Sequence, residues 1–446
     1  MKRIRIGSGA GFADDRIAPA IELASRGDLD YLVFECLAER TIALAQRDKL
    51  HDPTTGYNEW LEERMRGVLA ACVQRGTTII TNMGAANPQA GADVVAGVAR
   101  ELGLTGLTIA AITGDDVLDL VQGSGLPLLE RGGTVNDLGT TIVAANAYLG
   151  SAAIVEALGL GADVIIVGRF ADPALFLAPL VHEFGWGPEE WDLLAAGTAV
   201  GHLLECAAQV TGGYFADPGR KEVPDLAGLG FPLAEVAEDG SFVVTKVPGS
   251  GGRVTTATVT EQLLYEVHDP ARYVTPDVVA DFSGTCLEQR GADAVAVSGI
   301  RGTARPDTLK VSVGYRDGYI GEGQISYTGP NADARARLAL DLVRDRLAAS
   351  GPATTEIRFE RIGVDAVHRG VGTVGGGDLA EVRIRVVART MNLVDARRVG
   401  REVTALWLNG PAGGGGATRT ASEIMAIASV LIPRERVVTA IALQEV

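Results

Sequence analysis

The sequence predicts an α/β fold: an open, mostly parallel sheet with flanking helices, Rossmann-like, followed by α+β regions with mixed or antiparallel strands. Three observations carry this. Up to about residue 210, short Val- and Ile-rich runs alternate with longer segments of helical periodicity, as strand–helix–strand units do. Runs such as ADVIIVG and LTIAAIT are apolar throughout, which a strand buried on both faces requires. Beyond that the texture changes to β runs punctuated by Asp-Gly, a hairpin signal.

In order along the chain, the expected strands of the first region are Arg3–Ile6, Asp30–Glu35, Thr77–Asn82, Leu107–Thr113, Thr140–Ala145 and Asp163–Gly168. The clearest helix is Tyr57–Arg75, with Leu61, Met65, Val68, Leu69 and Cys72 on one face, Glu62, Glu63 and Arg66 on another, and Gly76 as its stop. EDGSFVVTKVPGSGG and DTLKVSVGYRDGYIGEGQISYTG then read as hairpins, and Ala332–Ala349 as a helix. Ser350-Gly-Pro-Ala-Thr-Thr has linker composition; after it come the alternating run GDLAEVRIRVVART, helix, and a closing strand in VVTAIALQEV. The expected domains are a parallel α/β domain at 1–215, an α+β domain with hairpins at 216–350, and a C-terminal α+β module at 356–446, separate from the second or packed with it.

Composition excludes several function classes. The formal net charge is −16 and the basic residues are scattered, so no stripe exists to neutralise phosphates and no nucleic acid partner is expected. MKRIRIGSGAG breaks into glycines before any apolar signal core, and no run approaches the ~18 apolar residues of a span, so no membrane partner is expected. Cys36, Cys72, Cys206 and Cys286 lie far apart, against a disulfide framework and in favour of a reducing, cytoplasmic setting. His51, His182, His202, His268 and His368 form no zinc pairing, so no dedicated metal site is expected. An oxygen-ligand Mg²⁺ site built from Asp115, Asp116, Asp172 or Glu35 stays open as the alternative.

Open parallel sheets bind ligands beyond the carboxyl ends of their strands, and those ends are polar or Gly-rich here: GSGAGFADD, FECLAE, TNMGAANP, TGDD, NAYLG and GRFADP. Gly7, Gly9 and Gly11 with Glu35 superficially match a dinucleotide fingerprint. Phe12 then occupies the third glycine position, and Asp14 and Asp15 would repel a pyrophosphate, so NAD is not expected. The loop reads as a site for a small anionic or acyl ligand, or as a structural tight turn. Gly249, Ser250, Gly251, Gly252 and Arg253 could form an anion-binding nest or simply a turn, and they lack a Walker Lys-Ser/Thr ending. The run from Asn409 through Gly413 and Gly414 to Arg419 is costly to order, which points to close approach by a ligand or a subunit, against a flexible loop.

For chemistry, Glu35 at an apolar strand end can have its pKa raised for acid/base work, or it caps a helix or pairs with a cation. Cys36 is a nucleophile or acid, or a small packed hydrophobe. Asn82, Asn87 and Asn146, with Gly84 between the first two, offer neutral donors for an oxyanion or serve as turn residues. Arg169 binds a carboxylate or phosphate, or forms a structural ion pair with Asp172.

GSGAGFADDRIAPAIELASRGDLDYLVFECLAERTIALAQ, TPDVVADFS, DTLKVSVGYRDGYIGEGQISYTGPNA and NGPAGGGG together resemble the acyclic terpene utilisation (AtuA-type) family over nearly the whole chain. The resemblance implies a bacterial-type cytoplasmic protein in the catabolism of branched terpenoids and related acids, where intermediates are coenzyme A thioesters. It implies no reaction and no catalytic residues. The expected function is therefore a catabolic enzyme, a lyase, hydratase or isomerase acting on a small carboxylate or acyl-CoA thioester, with coenzyme A entering only as part of the substrate. The alternative is a non-catalytic subunit or assembly module binding an anionic ligand. A homo-oligomer is expected from the general prevalence of symmetric assemblies.

Overall fold

The computed structural model describes residues 1–368 and 379–446; Gly377 and Asp378 of the alternating run lie outside the described residues. The first strands are β1 (Arg3–Ala10), β2 (Tyr31–Phe34), β3 (Thr78–Thr81), β4 (Thr108–Thr113), β5 (Ile142–Ala147), β6 (Val164–Val167), β7 (Pro232–Ala237) and β8 (Phe242–Lys246). Then come β9 (Tyr273–Val274), β10 (Val279–Asp281), β11 (Cys286–Gly291), β12 (Ala294–Ser298), β13 (Arg301–Thr303), β14 (Thr308–Thr328), β15 (Thr354–Ile362), β16 (Glu381–Thr390), β17 (Gly415–Pro433) and β18 (Ala440–Glu445). The described chain divides into two compact units, 1–314 with 427–446, and 315–426.

The first unit is built on a mixed α/β sheet in the order β11-β12-β8-β7-β1-β2-β3-β6-β4-β18. Its centre is parallel: Ile6 pairs with Tyr31, Leu32 with Ile79, Ile79 with Val164 and Ile109 with Val164. Every residue of β2 and β6 is buried, which explains why neither alternates in polarity. Helices Ala18–Arg26, Leu61–Arg75 and Pro88–Glu101 supply Leu23, Leu61, Met65, Val68 and Val95 to a core shared with Leu32, Phe34, Ile79 and Ile109. Leu61–Arg75 stops at Gly76, whose φ of 69° is the left-handed value that glycine tolerates.

Antiparallel strands extend this parallel centre on both sides. The hairpin β7–β8 adds through β7 to β1, and β18 adds to β4, with Ile441 opposite Ile112. Strand β5 does not join the parallel centre, although its sequence is equally apolar. It pairs with β14, the Tyr148 N–H donating to the Lys310 carbonyl at 2.9 Å, while β6 pairs directly with both β3 and β4. A small sheet, β13-β10-β9, packs on helix Trp191–Leu204, where Gly302 lies so close to the Trp191 carbonyl that no larger residue fits.

The second unit is an antiparallel sheet in the order β15-β16-β14-β17, with helices Ala332–Ser350 and Leu393–Asn409. Tyr327, Val343, Ile384, Val386, Val399 and Val403 form its core. Glycines let Leu393–Asn409 approach β14: a Cβ at Gly323 would come 2.6 Å from that of Val403. Among the described residues no helix is long and apolar enough to cross a membrane.

Candidate functional site

Because β2, β3, β6 and β4 are parallel neighbours, the residues that follow them emerge at one edge of the sheet. Glu35, Asn82, Arg169 and Asp115 are those residues, and all four are buried. Glu35 Oε1 accepts from Asn82 Nδ2 at 2.8 Å and from the Leu37 N–H at 2.9 Å. The Cys36 N–H donates to Asn82 Oδ1 at 2.7 Å, so the amide of Asn82 is oriented by both partners. Burial and the charge of Asp172 raise Glu35 well above the carboxylate range, against the opposing effects of Arg169, the Leu37 N–H and Asn82.

Arg169 ties this cluster to the neighbouring strands. Its guanidinium donates to the Leu37 carbonyl and to Asp172, and it lies 4.2 Å over the Tyr148 ring. Burial opposes its charge, but Asp172, Tyr148, Glu35 and Glu39 more than offset that. The Arg169 backbone N–H donates to Asp115 Oδ2 at 2.9 Å, which also accepts from Asn146 Nδ2 at 2.9 Å. Burial lifts Asp115 to about 6 despite those two donors. Gly168 makes room for it, since a Cβ there would stand 2.6 Å from an Asp115 oxygen.

Asp172 and Tyr148 carry the network to solvent. Both form part of the wall of a cleft of about 380 Å³, which Tyr273, Arg272 and Lys310 also line. Tyr148 donates its hydroxyl to Glu39 Oε1, and Lys310 Nζ lies 3.4 Å from the same oxygen. Burial pushes Glu39 up, but the Tyr148 hydroxyl, a backbone N–H, Arg169 and Lys310 outweigh it and hold the carboxyl at about 2. Burial and the charge of Glu39 raise Asp172, and Arg169 pulls it down.

Tyr273 packs at a tilt against His202 and Phe282, ring centroids 5.0 and 5.1 Å away. His202 Nε2 contacts the Leu263 carbonyl at 3.1 Å and Nδ1 contacts Glu205 Oε1 at 3.0 Å. Burial lowers His202 to about 4 and raises Glu205 well above its ordinary range, so the pair is neutral and not a salt bridge. The Leu263 carbonyl can only accept, so Nε2 carries the ring proton and Glu205 donates its own to Nδ1.

On the other side of Cys36 lies Arg64, fully buried, donating to Cys36 Sγ at 3.0 Å and to the Asp15 carbonyl at 2.8 Å. Burial pushes the Cys36 thiol up, and Arg64 only partly counters this, so Cys36 is a thiol and not a thiolate.

The glycine loops are placed as follows. Gly7 and Gly9 sit under Leu29 and Phe34, and Gly11 lies against the Cys206 backbone, 2.5 Å from where a Cβ would be. The Gly11 N–H donates to Asp15 Oδ2 at 2.9 Å. Gly84 packs on the Val167 carbonyl, and Asn87 caps helix Pro88–Glu101 while donating to the Pro53 and Thr55 carbonyls. The N–H groups of Ser250, Gly251, Gly252 and Arg253 donate to the carbonyls of Val247, Gly228, Pro224 and Thr211, and Gly249 has a φ of 84°. The Arg253 guanidinium donates to the Glu222 carbonyl at 3.1 Å. Asn409, Gly413, Gly414 and Arg419 belong to the second unit. Asn409 donates to Ala405, Gly413 has a φ of 73°, Gly414 packs on Tyr327, and Arg419 projects from β17.

Glu35, Cys36 and Asn82 are thus one hydrogen-bonded cluster, and Arg169 joins it through Leu37, whose N–H donates to Glu35 and whose carbonyl accepts from the guanidinium. Arg272, Lys310, Tyr273 and Arg64 were not legible as partners of it. A signal existed for Arg64, since it falls three residues after Leu61 on the apolar face of its helix, where a cation is anomalous. Among the described residues, no group of three or more His, Cys, Asp or Glu side chains is placed to hold a metal ion.

A family profile described as acyclic terpene utilisation family protein AtuA matches residues 4–443 of the chain. No curated protein matches it.

Proposed function

The chain belongs to the acyclic terpene utilisation family, and from that premise we propose that it is a catabolic enzyme acting beside the carbonyl of a small carboxylate or acyl-CoA thioester. The observation that carries this reading is the cleft wall where the Asp172–Arg169 pair meets Lys310 and Arg272. The two cations hold the anionic end of the substrate. Asp172, oriented by Arg169, exchanges a proton at the carbon next to the carbonyl, and the Lys310 ammonium stabilises the oxyanion that develops. Arg169 is held by the Leu37 carbonyl, and the Leu37 N–H is held in turn by Glu35, kept protonated by burial and bonded to Asn82, with the Cys36 thiol beside them. Proton exchange of this kind serves a lyase, a hydratase or an isomerase equally. We place the protein in the cytoplasm, as a homo-oligomer, with coenzyme A present only as part of the substrate.

One observation favours a second reading, a non-catalytic anion-binding subunit: Glu35, Cys36 and Asn82 satisfy one another without a ligand. Thermal-shift titration of the full chain with short-chain carboxylates and their coenzyme A thioesters separates the two. A ligand at about 100 times its Kd should stabilise by about 2.7 kcal/mol. Lys310→Ala should abolish that shift, and Asp172→Asn should keep it while stopping exchange of the substrate α-proton with deuterated solvent. No shift with any compound would overturn the enzyme reading, and binding without α-proton exchange would establish the second.

A further inference from the structure

The second compact unit holds a feature that the reading above does not use. Its residues 315–426 contain fifteen arginines, no lysine and thirteen carboxylates, within a chain of net charge −16. Val394, Arg397, Arg398 and Arg401 lie on one face of helix Leu393–Asn409, spaced three, four and seven residues from Val394. With Arg419 and Thr420 of β17 they line a cleft of about 530 Å³.

Two details set this apart from a solvated basic face. Arg398 pairs with Asp395 at 3.1 Å, but Arg397, Arg401 and Arg419 have no ion-pair or hydrogen-bond partner for their guanidinium groups among the described residues. Like charges at that helical spacing repel, and arginine cannot shed its proton to escape. The approach of Arg419 also depends on Gly400. A Cβ there would stand 2.8 Å from the Arg419 Cβ and 2.6 Å from the Glu322 carbonyl oxygen.

We infer that this cleft binds the oligophosphate group of a small molecule. Several planar, permanently charged forks converging from a helix and a strand match the tetrahedral, multiply charged oxygens of adjoining phosphates better than a single flat carboxylate. Thr420 adds a hydroxyl donor, and Val394 gives an apolar wall for an organic moiety.

The test is calorimetric titration of the full chain with inorganic pyrophosphate and tripolyphosphate at low salt, with citrate and a single-stranded oligonucleotide as comparators. The expected result is saturable binding of one pyrophosphate per chain, weakening at least tenfold in Arg397→Ala/Arg401→Ala and falling steeply as salt rises. Because these side chains are exposed and repel one another, the double variant should melt no lower than the parent. Arg419→Gln on the opposite wall should weaken binding as well and serves if the helix variant does not fold. Absence of saturable heat, equal affinity in the variants, equal affinity for citrate, or tighter binding of the oligonucleotide would each overturn the inference.

Discussion

Replacing Glu35 separates its role as a hydrogen-bond acceptor from its role as an acid. In Glu35→Leu the buried Leu37 N–H and Asn82 Nδ2 both lose their acceptor. Each orphaned buried donor costs about 1–3 kcal/mol, so the variant should lose roughly 2–6 kcal/mol. Unfolding entropy of about 2.1 cal/mol/K per residue, over a unit of roughly 330 residues, converts this into a fall in Tm of about 3–9 °C. Glu35→Gln keeps the accepting oxygen and should fall far less. The pH dependence adds a second arm. Burial raises the folded-state pKa of Glu35, so its contribution to stability is complete below the unfolded value of about 4.3 and is lost as pH rises towards the folded value. Glutamine lacks this loss, so the stability of Glu35→Gln relative to the parent should climb as pH rises above about 4.3, by at most about 1.4 kcal/mol per pH unit. Scanning calorimetry and urea unfolding across that range measure both arms. A leucine variant that melts with the glutamine variant, or a stability gap that does not change with pH, would refute the reasoning.

Other perturbations probe neighbouring parts of the network. Asp115, held at about 6 by burial, contributes stability that is complete below about 3.9 and lost as pH rises through its folded value. Asp115→Asn should remove that loss, of order 3 kcal/mol, in urea unfolding between about pH 4 and 7. His202 has the opposite sign. Lowered to about 4 by burial, it contributes stability that is present above about 6.5 and lost as pH falls through 4, again of order 3 kcal/mol, and His202→Gln should flatten this acid limb. Gly11→Ala would put a methyl 2.5 Å from the Cys206 carbonyl carbon, and its overpacking should cost about 1–3 kcal/mol. Gly97→Ala, in helix Pro88–Glu101 with nothing within 4 Å of the new methyl, should gain up to about 1 kcal/mol, and thermal melting ranks the two.

The parallel centre was legible because β2, β4 and β6 must be apolar on both faces, which leaves the runs YLVF, IAAI and VIIV without polar alternation. Apolarity identified β5 as a strand, but the expectation that Thr140–Ala145 joins the parallel sheet fails, since β6 pairs with both β3 and β4 and β5 pairs with β14 instead. The hairpin β7–β8 was visible from its turn, whereas its addition to β1 rests on pairing between residues some 230 positions apart. At the site, Glu35, Asn82 and Arg169 could be grouped because strand ends of one parallel layer share an edge. Arg272 belongs to no motif, and Lys310, although within the segment DTLKVSVGYRDGYIGEGQISYTG, reads there only as a strand residue, so neither pointed to the cleft.

The last strand, β18, completes the first sheet by covering the edge of β4, and the Val446 N–H donates to the Leu107 carbonyl at 3.0 Å. Residues 315–426 are thus an insertion whose two ends both return to the same host body. During synthesis β4 waits, its outward amides unclaimed, until more than three hundred further residues have left the ribosome. A nascent or truncated chain stopping short of residue 440 would offer that open border to any passing extended segment, a site where chaperones would be needed and where self-association would begin.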